Sequence, residues 1–243
     1  MVILSIGMPR AGSGWYYNLT NALMMANGAQ DTKEIRRRFH LQKILTEVNC
    51  NIGSFTFPRT IAVALPSLVG NTFVVKAHAG PTHSVLTAIR IGLMHPIYIY
   101  RDPRDVILSA MEIGQKAIGK GQNNAFSPLV DFERAVEFML KYLCIWEAWM
   151  NCSQALHTRY EDLLTNYDRE IERLTDFLEI NSAKTEIQRV FDQYRPEKTH
   201  TDQKGMHFSQ GKIGRFRQKM SPEEQQRMMI AFKPYLQQMD YPA

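Results

Sequence analysis

The chain contains few cysteines and no long apolar run. Only three of its 243 residues are cysteines, and no two of them have a CxxC spacing, which disfavours a disulfide framework or a zinc site and favours reduced thiols in a reducing compartment. No apolar run approaches the roughly 18 residues that a membrane helix requires. The apolar start, Met1–Met8, lacks the basic residues that open a signal peptide. The sequence therefore predicts a soluble, cytoplasmic protein with no membrane partner.

Internal repeats and low-complexity linkers are also missing, so the chain is expected to form one domain over residues 1–243. A composition of 44% hydrophobic and 22% charged residues is that of an ordinary globular protein and excludes a disordered chain. The net charge of +5 is compatible with nucleic acid, an anionic membrane or an anionic small molecule. No basic stripe is interleaved with aromatic residues, which argues against nucleic acid.

The basic excess is concentrated near the C-terminus. Residues 195–219 hold seven basic side chains and two acidic ones, a difference that equals the full net charge of +5. The rest of the chain is balanced. This segment is therefore the part that is expected to close over an anionic ligand.

Short buried strands alternate with amphipathic helices along the chain. Runs of apolar and β-branched residues predict strands at Val2–Ile6, Phe73–Lys76, Ile97–Tyr100 and about 155–159. Helical patterns cover Trp15–Ala26, a stretch from about Thr82, Pro103–Lys116, Phe132–Met150 and a C-terminal segment opened by a capping box at Ser221. This alternation predicts right-handed βαβ crossovers and hence an α/β fold, a three-layer α/β/α sandwich around a central parallel sheet.

Two segments do not fit this alternation. Residues 30–70 contain Phe39, Phe55, Phe57 and two prolines, and residues 114–130 are rich in Gly, Asn and Gln. Irregular insertions that follow the strands of a sheet usually form the lid or the acceptor pocket of an α/β enzyme. The three phenylalanines are candidates for the wall of an apolar pocket, and equally for the core of a loop.

The first predicted strand runs into a loop of small residues and then into a helix, between Ile3 and Trp15. In this geometry, backbone N–H groups and the positive end of the helix face an anion. Glycines at positions 12 and 14 let a phosphate approach the backbone, Ser13 offers a hydroxyl, and Arg10 adds a fixed charge. The segment is not a Walker A loop, because Ser13 stands where that motif has lysine and Gly14 where it has the magnesium-binding hydroxyl. A magnesium-dependent nucleotide kinase is therefore disfavoured.

Four segments together resemble the motifs of one enzyme family. Pro9–Trp15 reads Pro-Arg-Ala-Gly-Ser-Gly-Trp, Val75–His78 reads Val-Lys-Ala-His, Tyr100–Ser109 begins Tyr-Arg-Asp-Pro-Arg-Asp, and Thr158–Leu163 contains Arg-Tyr-Glu-Asp. They are similar, in this order, to the 5′-phosphosulfate loop, the catalytic strand end, the 3′-phosphate motif and the Tyr-Glu-Asp segment of the sulfotransferase family. The chain thus resembles a cytosolic-type sulfotransferase that acts on small molecules.

The resemblance implies a P-loop NTPase-like sulfotransferase fold, with 3′-phosphoadenosine 5′-phosphosulfate (PAPS) as the sulfuryl donor and no metal required. It implies that the donor is bound by Arg10, Ala11, Gly12, Ser13, Gly14, Trp15, Arg101, Ser109, Tyr160, Gly211 and Lys212. Arg101 and Ser109 match the positions that bind the 3′-phosphate. Taken singly, Arg101 would instead be expected in a salt bridge with Asp102 or Asp105.

Three residues are expected to carry out the transfer. His78, two residues beyond Lys76 at a strand end, is the candidate general base, because an imidazole with its ordinary pKa of about 6.5 is neutral yet basic near pH 7. Arg10 and Lys76 are expected to neutralise the bridging oxygen as adenosine 3′,5′-bisphosphate (PAP) leaves. Weaker candidates for the base are His83, His95 and His207. The expected acceptor is a hydroxyl, or an amine, of a small molecule.

Two departures from the family pattern bear on the donor site. Arg10 stands where cytosolic members have lysine, which preserves the charge but replaces a side chain that can donate its proton. The C-terminal pattern Arg-Lys-Gly-x-x-Gly-x-Trp has Ser209 and Gln210 in place of its two basic residues. Either Lys212 and Arg215 replace them, or the 3′-phosphate is bound less tightly. The family's dimerisation signature is also broken, so the sequence leaves the oligomeric state open.

Two other functions stay open from the sequence. One is a nucleotide or nucleoside kinase with a degenerate phosphate loop, and the other is a non-catalytic module that binds adenine nucleotides. Magnesium dependence separates a kinase from the metal-independent sulfuryl transfer that the resemblance implies.

Overall fold

A parallel sheet of five strands lies at the centre of the fold. The computed structural model describes residues 1–198 and 211–242. The strands are β1 (Val2–Gly7), β2 (Asn51–Ile52), β3 (Phe73–Ala77), β4 (Met94–Tyr100) and β5 (Leu156–Arg159). Their order across the sheet is β2-β3-β1-β4-β5, and every neighbouring pair is parallel. The strands therefore all end at the same edge, where a sheet of this kind binds its ligands.

Helices cover both faces of the sheet. They are α1 (Ser13–Ala26), α2 (Thr32–Arg38), α3 (Phe57–Leu68), α4 (His83–Arg90), α5 (Pro103–Ile118), α6 (Phe132–Met150), α7 (Tyr160–Thr165), α8 (Tyr167–Phe177), α9 (Thr185–Gln193), α10 (Phe216–Lys219) and α11 (Pro222–Gln238). Short 3-10 turns lie at Leu41–Lys43 and Ser127–Val130. None of the helices in the described part of the chain could span a membrane.

The two faces of the sheet bury separate apolar clusters. Ile3 of β1 and Val74 of β3 point into a cluster with α1, α8 and α9, whereas Leu4 and Val75 point into one with α5, α6 and α11. Successive side chains of a strand lie on opposite faces, so a strand covered on both sides is apolar almost throughout. The predicted α/β/α sandwich around a parallel sheet is confirmed, and this double covering is the reason its strands were visible in the sequence.

The segment 30–70 is more regular than the sequence analysis expected, because it contains α2, β2 and α3. Asp31 caps α2 by accepting a hydrogen bond from the Lys33 N–H at 2.9 Å, and Pro58 lies in the first turn of α3. The expectation of an irregular insertion was wrong for a physical reason. α2 has seven residues and β2 only two, which is too short for a periodic pattern, and Pro66 interrupts the pattern of α3.

Local capping fixes the helices beside the carboxyl edge of the sheet. Asp102 accepts a hydrogen bond from the Arg104 N–H at 3.0 Å, and Pro103 begins α5. The predicted capping box at α11 is present, formed by Ser221 and Glu224. These interactions satisfy backbone N–H groups that a helix start leaves without a partner.

Candidate functional site

The loop between β1 and α1 has a shape that small residues make possible. Gly12, which directly precedes α1, has a φ of 78°, a left-handed conformation that glycine adopts without strain. A Cβ at this position would lie 2.6 Å from the ring of Tyr160, so a larger residue would collide with it. Arg10 also has a positive φ, 65°, which is uncommon for a residue other than glycine. The loop thus brings the Arg10 side chain and the start of α1 to the carboxyl edge of the sheet.

A cavity of about 440 Å³ opens at this edge. It is lined by Pro9, Arg10, Gly12, Ser13, Gly14, Asn49, Lys76, His78, Ile113, Asn124, Ala125 and Phe126. Among these described residues two are cationic and none is acidic. The ends of β1 and β3 therefore join the phosphate-loop residues with Lys76 and His78 around a space whose charge favours an anion.

His78 follows β3 and is held by the end of β1. Its Nδ1 lies 2.7 Å from the carbonyl oxygen of Gly7. Since a carbonyl oxygen only accepts hydrogen bonds, Nδ1 carries the proton and Nε2 keeps its lone pair. Burial, together with the Lys76 cation, lowers the pKa of His78 to about 4. The imidazole is therefore neutral at pH 7, in the tautomer that a base at Nε2 requires.

Two cations, the buried Lys76 and the half-buried Arg10, lie close to His78. Burial, with the nearby Arg10 cation, lowers the pKa of Lys76 to about 8. Burial and the cation of Arg101 also lower the pKa of Arg10. Both shifts express the cost of holding positive charges together away from water, and a bound anion would reduce that cost. The cluster is thus suited to a negatively charged ligand.

A second group of residues lies directly beside the phosphate loop. Arg10 Nε donates a hydrogen bond to Ser109 Oγ of α5 at 3.2 Å. The Arg101 guanidinium lies over the Tyr160 ring, 4.4 Å from its centre, and this is the ring that Gly12 approaches. Ser109, Arg101 and Tyr160 are therefore connected to the phosphate loop through Arg10 and Gly12, although they do not line the cavity itself.

A buried carboxylate attaches the C-terminal part of the chain to this group. Asp105 forms an ion pair with Arg101 at 3.3 Å and accepts hydrogen bonds from the backbone N–H groups of Gly214, at 2.7 Å, and Phe216, at 3.1 Å. Arg101 also donates to the carbonyl oxygen of Lys212 at 2.9 Å. The salt bridge that the sequence offered as the alternative role of Arg101 is present, and it holds the loop that carries Lys212 beside the 3′-phosphate motif.

The other predicted donor residues lie around these groups. Ala11 and Trp15 are fully buried, and the Trp15 indole N–H donates to the carbonyl oxygen of Tyr194 at 3.0 Å. Gly211 has a positive φ of 59°, and the side chain of Lys212 is exposed. The side chains of Ala11 and Trp15 are therefore not available to a ligand, whereas the Lys212 side chain is accessible.

Arg215 was one of the two residues suggested as replacements for the missing basic pair. Its guanidinium is paired with the Glu112 carboxylate, with an Nη1 to Oε2 distance of 3.0 Å. Because this ion pair neutralises its charge, Arg215 is less suited to bind a phosphate. Ser209 and Gln210, which stand where the family has its basic pair, and His207, a weaker candidate for the base, lie outside the described residues.

Sequence reasoning did not single out Asn49, Ile113, Asn124 and Phe126, which all line the cavity. Asn124 and Phe126 fall within the segment 114–130 that was expected to form a lid or an acceptor pocket, so composition gave a signal for them. Asn49 and Ile113 gave none, because neither lies in a recognisable motif.

The three phenylalanines suggested for an apolar pocket wall lie elsewhere. Phe55 is buried in the core, Phe57 is 68% exposed, and Phe39 packs at the edge of the core. None of them lines the cavity at Lys76 and His78. Phe55 and Phe57 do line a separate apolar cavity between α3 and α4, so the expectation of an apolar pocket wall holds for these two residues at a different place. The weaker base candidates His83 and His95 do not line the cavity at Lys76 and His78 either, so among the described residues His78 is the histidine at this site.

Comparisons with known proteins agree with this fold. The sulfotransferase domain family matches residues 2–240. No curated protein sequence matches the chain. The structure is similar to that of a mouse sulfotransferase complexed with PAP, with a TM-score of 0.65 and 14% identity, covering 97% of this chain and 84% of that one. It is also similar to retinol dehydratase in complex with androsterone and PAP, with a TM-score of 0.59 and 17% identity; the match covers 97% of this chain and 80% of that one. A structure of retinol dehydratase with retinol and PAP is similar at 18% identity.

Proposed function

The chain belongs to the sulfotransferase domain family, and we propose that it transfers the sulfuryl group of PAPS to a hydroxyl, or an amine, of a small molecule. The observation that supports this most directly is the cavity in which Arg10, Lys76 and His78 meet the phosphate loop. Its cations suit an anionic donor, and its neutral imidazole suits an acceptor that must lose a proton. We propose that residues 1–243 act as a single sulfotransferase domain.

The donor is proposed to lie with its 5′-phosphosulfate at the phosphate loop and its 3′-phosphate beside Arg101 and Ser109. Backbone N–H groups at the start of α1 and the Ser13 hydroxyl would bind the 5′-phosphate. Arg101 is already held by Asp105 and by the ring of Tyr160, so little side-chain entropy is lost when it binds a phosphate. The solved relatives complexed with PAP support this assignment of the donor.

Transfer is proposed to be an in-line displacement at sulfur. The acceptor oxygen forms its bond to sulfur as its proton passes to Nε2 of His78, and the bond from sulfur to the bridging phosphate oxygen breaks. PAP leaves with the electron pair of that bond. Lys76 and Arg10 neutralise the charge that develops on the oxygen, and the carbonyl of Gly7 stabilises the imidazolium through Nδ1–H.

The cavity is proposed to receive a small acceptor. Its volume of about 440 Å³ is in the range of small-molecule sites. Phe126 and Ile113 give it apolar surface, and Asn49 and Asn124 give it amide groups. Retinol dehydratase, which has a similar fold, was solved with androsterone and with retinol, which supports a small-molecule acceptor here. A cytoplasmic location and the lack of a nucleic-acid or membrane partner stay predictions of the sequence.

PAP is expected to stabilise the protein, and EDTA is expected to leave transfer unchanged. A ligand at 100 times its Kd stabilises the folded state by about 2.7 kcal/mol, which corresponds to a rise in Tm of roughly 5–10 °C for a domain of this size. Thermal-shift titration with PAP measures this rise. Sulfuryl transfer from PAPS is then assayed with and without excess EDTA, because no proposed step uses a divalent cation.

The same assays separate the competing functions. Phosphoryl transfer from ATP that stops in EDTA would indicate the kinase. Stabilisation by PAP without transfer to any member of a broad set of alcohols, phenols and amines would indicate the non-catalytic module. AMP serves as the matched control ligand, since it lacks the 3′-phosphate and should raise Tm less than PAP does.

The pKa of His78 is expected to be about 4 in the free protein and higher when PAP is bound. This folded value lies below the ordinary value of about 6.5, so the unfolded chain takes up the proton first as the pH falls. The stability contributed by neutral His78 is therefore complete above about pH 6.5 and is lost as the pH falls towards 4. The anionic ligand should raise the pKa, because it favours the imidazolium.

Titration of the imidazole by ¹H–¹⁵N NMR measures both pKa values. The variant His78→Gln identifies its resonances. A pKa near 6.5 in the free protein would contradict a histidine that is buried beside a cation. An unchanged pKa after addition of PAP would show that the phosphates do not bind near His78.

A further inference from the structure

A second cavity lies between α3 and α4. Its volume is about 590 Å³, within the range of small-molecule sites. Buried residues such as Phe55, Ala64 and Ala88 form its floor. It shares no lining residue with the cavity around Lys76 and His78. It is thus a separate concave surface, which the proposed sulfuryl transfer does not use.

The rim of this second cavity exposes large apolar side chains to water. Phe57, Ile61 and Ile91 are 68%, 46% and 65% exposed, and all three line the cavity. Single exposed apolar residues are common on protein surfaces, but several around one apolar hollow mark a binding site. The apolar surface therefore favours a ligand with a hydrocarbon body.

Three hydroxyl groups form the polar end of the second cavity. Thr60 Oγ1 lies 3.0 Å from the carbonyl oxygen of Thr56 and 3.2 Å from Ser84 Oγ. Thr82 Oγ1 lies 2.8 Å from the carbonyl oxygen of Phe55 and 3.0 Å from Ser84 Oγ. Each hydroxyl has one proton to donate. The three protons can therefore form only three of these four hydrogen bonds, and one contact between two oxygens has no proton. The protons of Thr60 and Thr82 go to the two carbonyl oxygens, so Ser84 Oγ accepts no hydrogen bond within the group. A ligand O–H can donate to Ser84 Oγ without displacing a bond, whereas a ligand with only acceptor oxygens has to take the Ser84 proton away from a threonine.

The lining of the second cavity favours a neutral occupant. None of the described residues that line it is Asp, Glu, Lys or Arg, so neither an ammonium nor a carboxylate group would meet an opposite charge there. The arginines of the two helices point elsewhere: Arg59 donates to Ser54 Oγ at 2.8 Å, and Arg90 lines a different cavity.

We propose that the cavity between α3 and α4 binds a neutral hydrocarbon alcohol. The hydrocarbon lies against Ala64, Ala88 and the apolar rim, and its hydroxyl donates into the group formed by Thr60, Thr82 and Ser84. This binding depends on the second cavity alone and does not require the protein to transfer a sulfuryl group.

Two isomeric probes test the proposal, octan-1-ol and 1-methoxyheptane, which have the same atoms but differ in whether they can donate a hydrogen bond. Amide NMR shifts of α3 and α4 are followed as each is added to the PAP-bound protein. The alcohol is expected to bind about three- to tenfold more tightly than the ether, the effect of one net hydrogen bond. Ser84→Ala should remove this preference, because it removes Ser84 Oγ, the acceptor to which the hydroxyl of the probe is proposed to donate. Ala88→Leu, which fills the floor, should weaken both probes.

Three results would overturn the proposal. The first is equal affinity for the two probes in the unaltered protein. The second is shifts confined to the surroundings of Lys76 and His78, which would assign the alcohol to the acceptor site alone. The third is a dimer that forms with increasing protein concentration in analytical ultracentrifugation and that Ile61→Asp dissociates. This result would show that the apolar surface of the second cavity binds a second copy of the chain. Ser84→Ala removes only a partly exposed hydroxyl, so the test stands even if Ala88→Leu does not fold.

Discussion

Replacement of His78 by alanine is expected to lower kcat by about 10²–10⁴-fold, the usual effect of removing a general base, and to change the affinity for PAP by no more than a few-fold. The imidazole is neutral, and its Nδ1 is bonded to the carbonyl oxygen of Gly7, so Nε2 can take a proton from the acceptor but adds little to the binding of a phosphate. Steady-state transfer from PAPS measures kcat, and isothermal titration with PAP measures the affinity.

His83→Ala is the matched control for this prediction. His83 is exposed and lies away from the cavity of Lys76 and His78, so its removal should leave kcat unchanged. Near-normal turnover in His78→Ala would show that another group accepts the proton. A loss of PAP affinity as large as the loss of kcat would show that His78 serves the donor, and Tm of the variant shows whether loss of the bond to Gly7 has unfolded the protein.

The central elements of the fold could be predicted from the sequence because each has a local signal. The strands β1, β3 and β4 are buried on both faces and therefore read as continuous apolar runs. The phosphate loop could be located because it needs small residues: Gly12 has a left-handed φ and lies against the ring of Tyr160, where a side chain would not fit. Lys76 and His78 could be placed at the site because they lie at the end of a strand that joins the same sheet as β1.

What the sequence did not predict are contacts between residues that are far apart in the chain. Asn49 gives no local signal, and it lines the cavity only because β2 pairs with β3. The ion pair of Arg215 with Glu112 joins residues more than 100 positions apart. A single sequence shows propensity and periodicity, but it does not show which distant carboxylate neutralises a given arginine.

The role of Asp105 illustrates what the structure adds to the 3′-phosphate motif. In the sequence Asp105 looks like an acid that stabilises the first turn of a helix. In the structure it holds Arg101 and binds the backbone N–H groups of Gly214 and Phe216. One buried carboxylate thus positions both the arginine proposed for the 3′-phosphate and the loop that carries Lys212. Because Ser209 and Gln210 stand where the family has a basic pair, we expect binding of the 3′-phosphate to depend more strongly on Arg101.

Replacement of Arg101 by alanine is therefore expected to weaken PAP by about 10- to 150-fold and adenosine 5′-phosphosulfate by no more than about threefold. Hydrogen bonds to a charged group contribute about 1.5–3 kcal/mol each, and only PAP has the 3′-phosphate that Arg101 is proposed to bind. Asp105 keeps two backbone donors in the variant, from Gly214 and Phe216, so the loop should stay attached. Competition titrations with the two nucleotides measure the affinities, and Tm reports on the fold.

Arg215→Ala provides the comparison that separates phosphate binding from loop attachment. Arg215 also ties this loop to α5, but its guanidinium is already paired with Glu112, so its removal should reduce the affinity for both nucleotides only slightly and about equally. An equal loss for both nucleotides in Arg101→Ala would instead assign Arg101 a structural role, through Asp105 and Lys212. In that case the 3′-phosphate would depend on Ser109 and Arg10, and Ser109→Ala should then discriminate between PAP and adenosine 5′-phosphosulfate where Arg101→Ala does not.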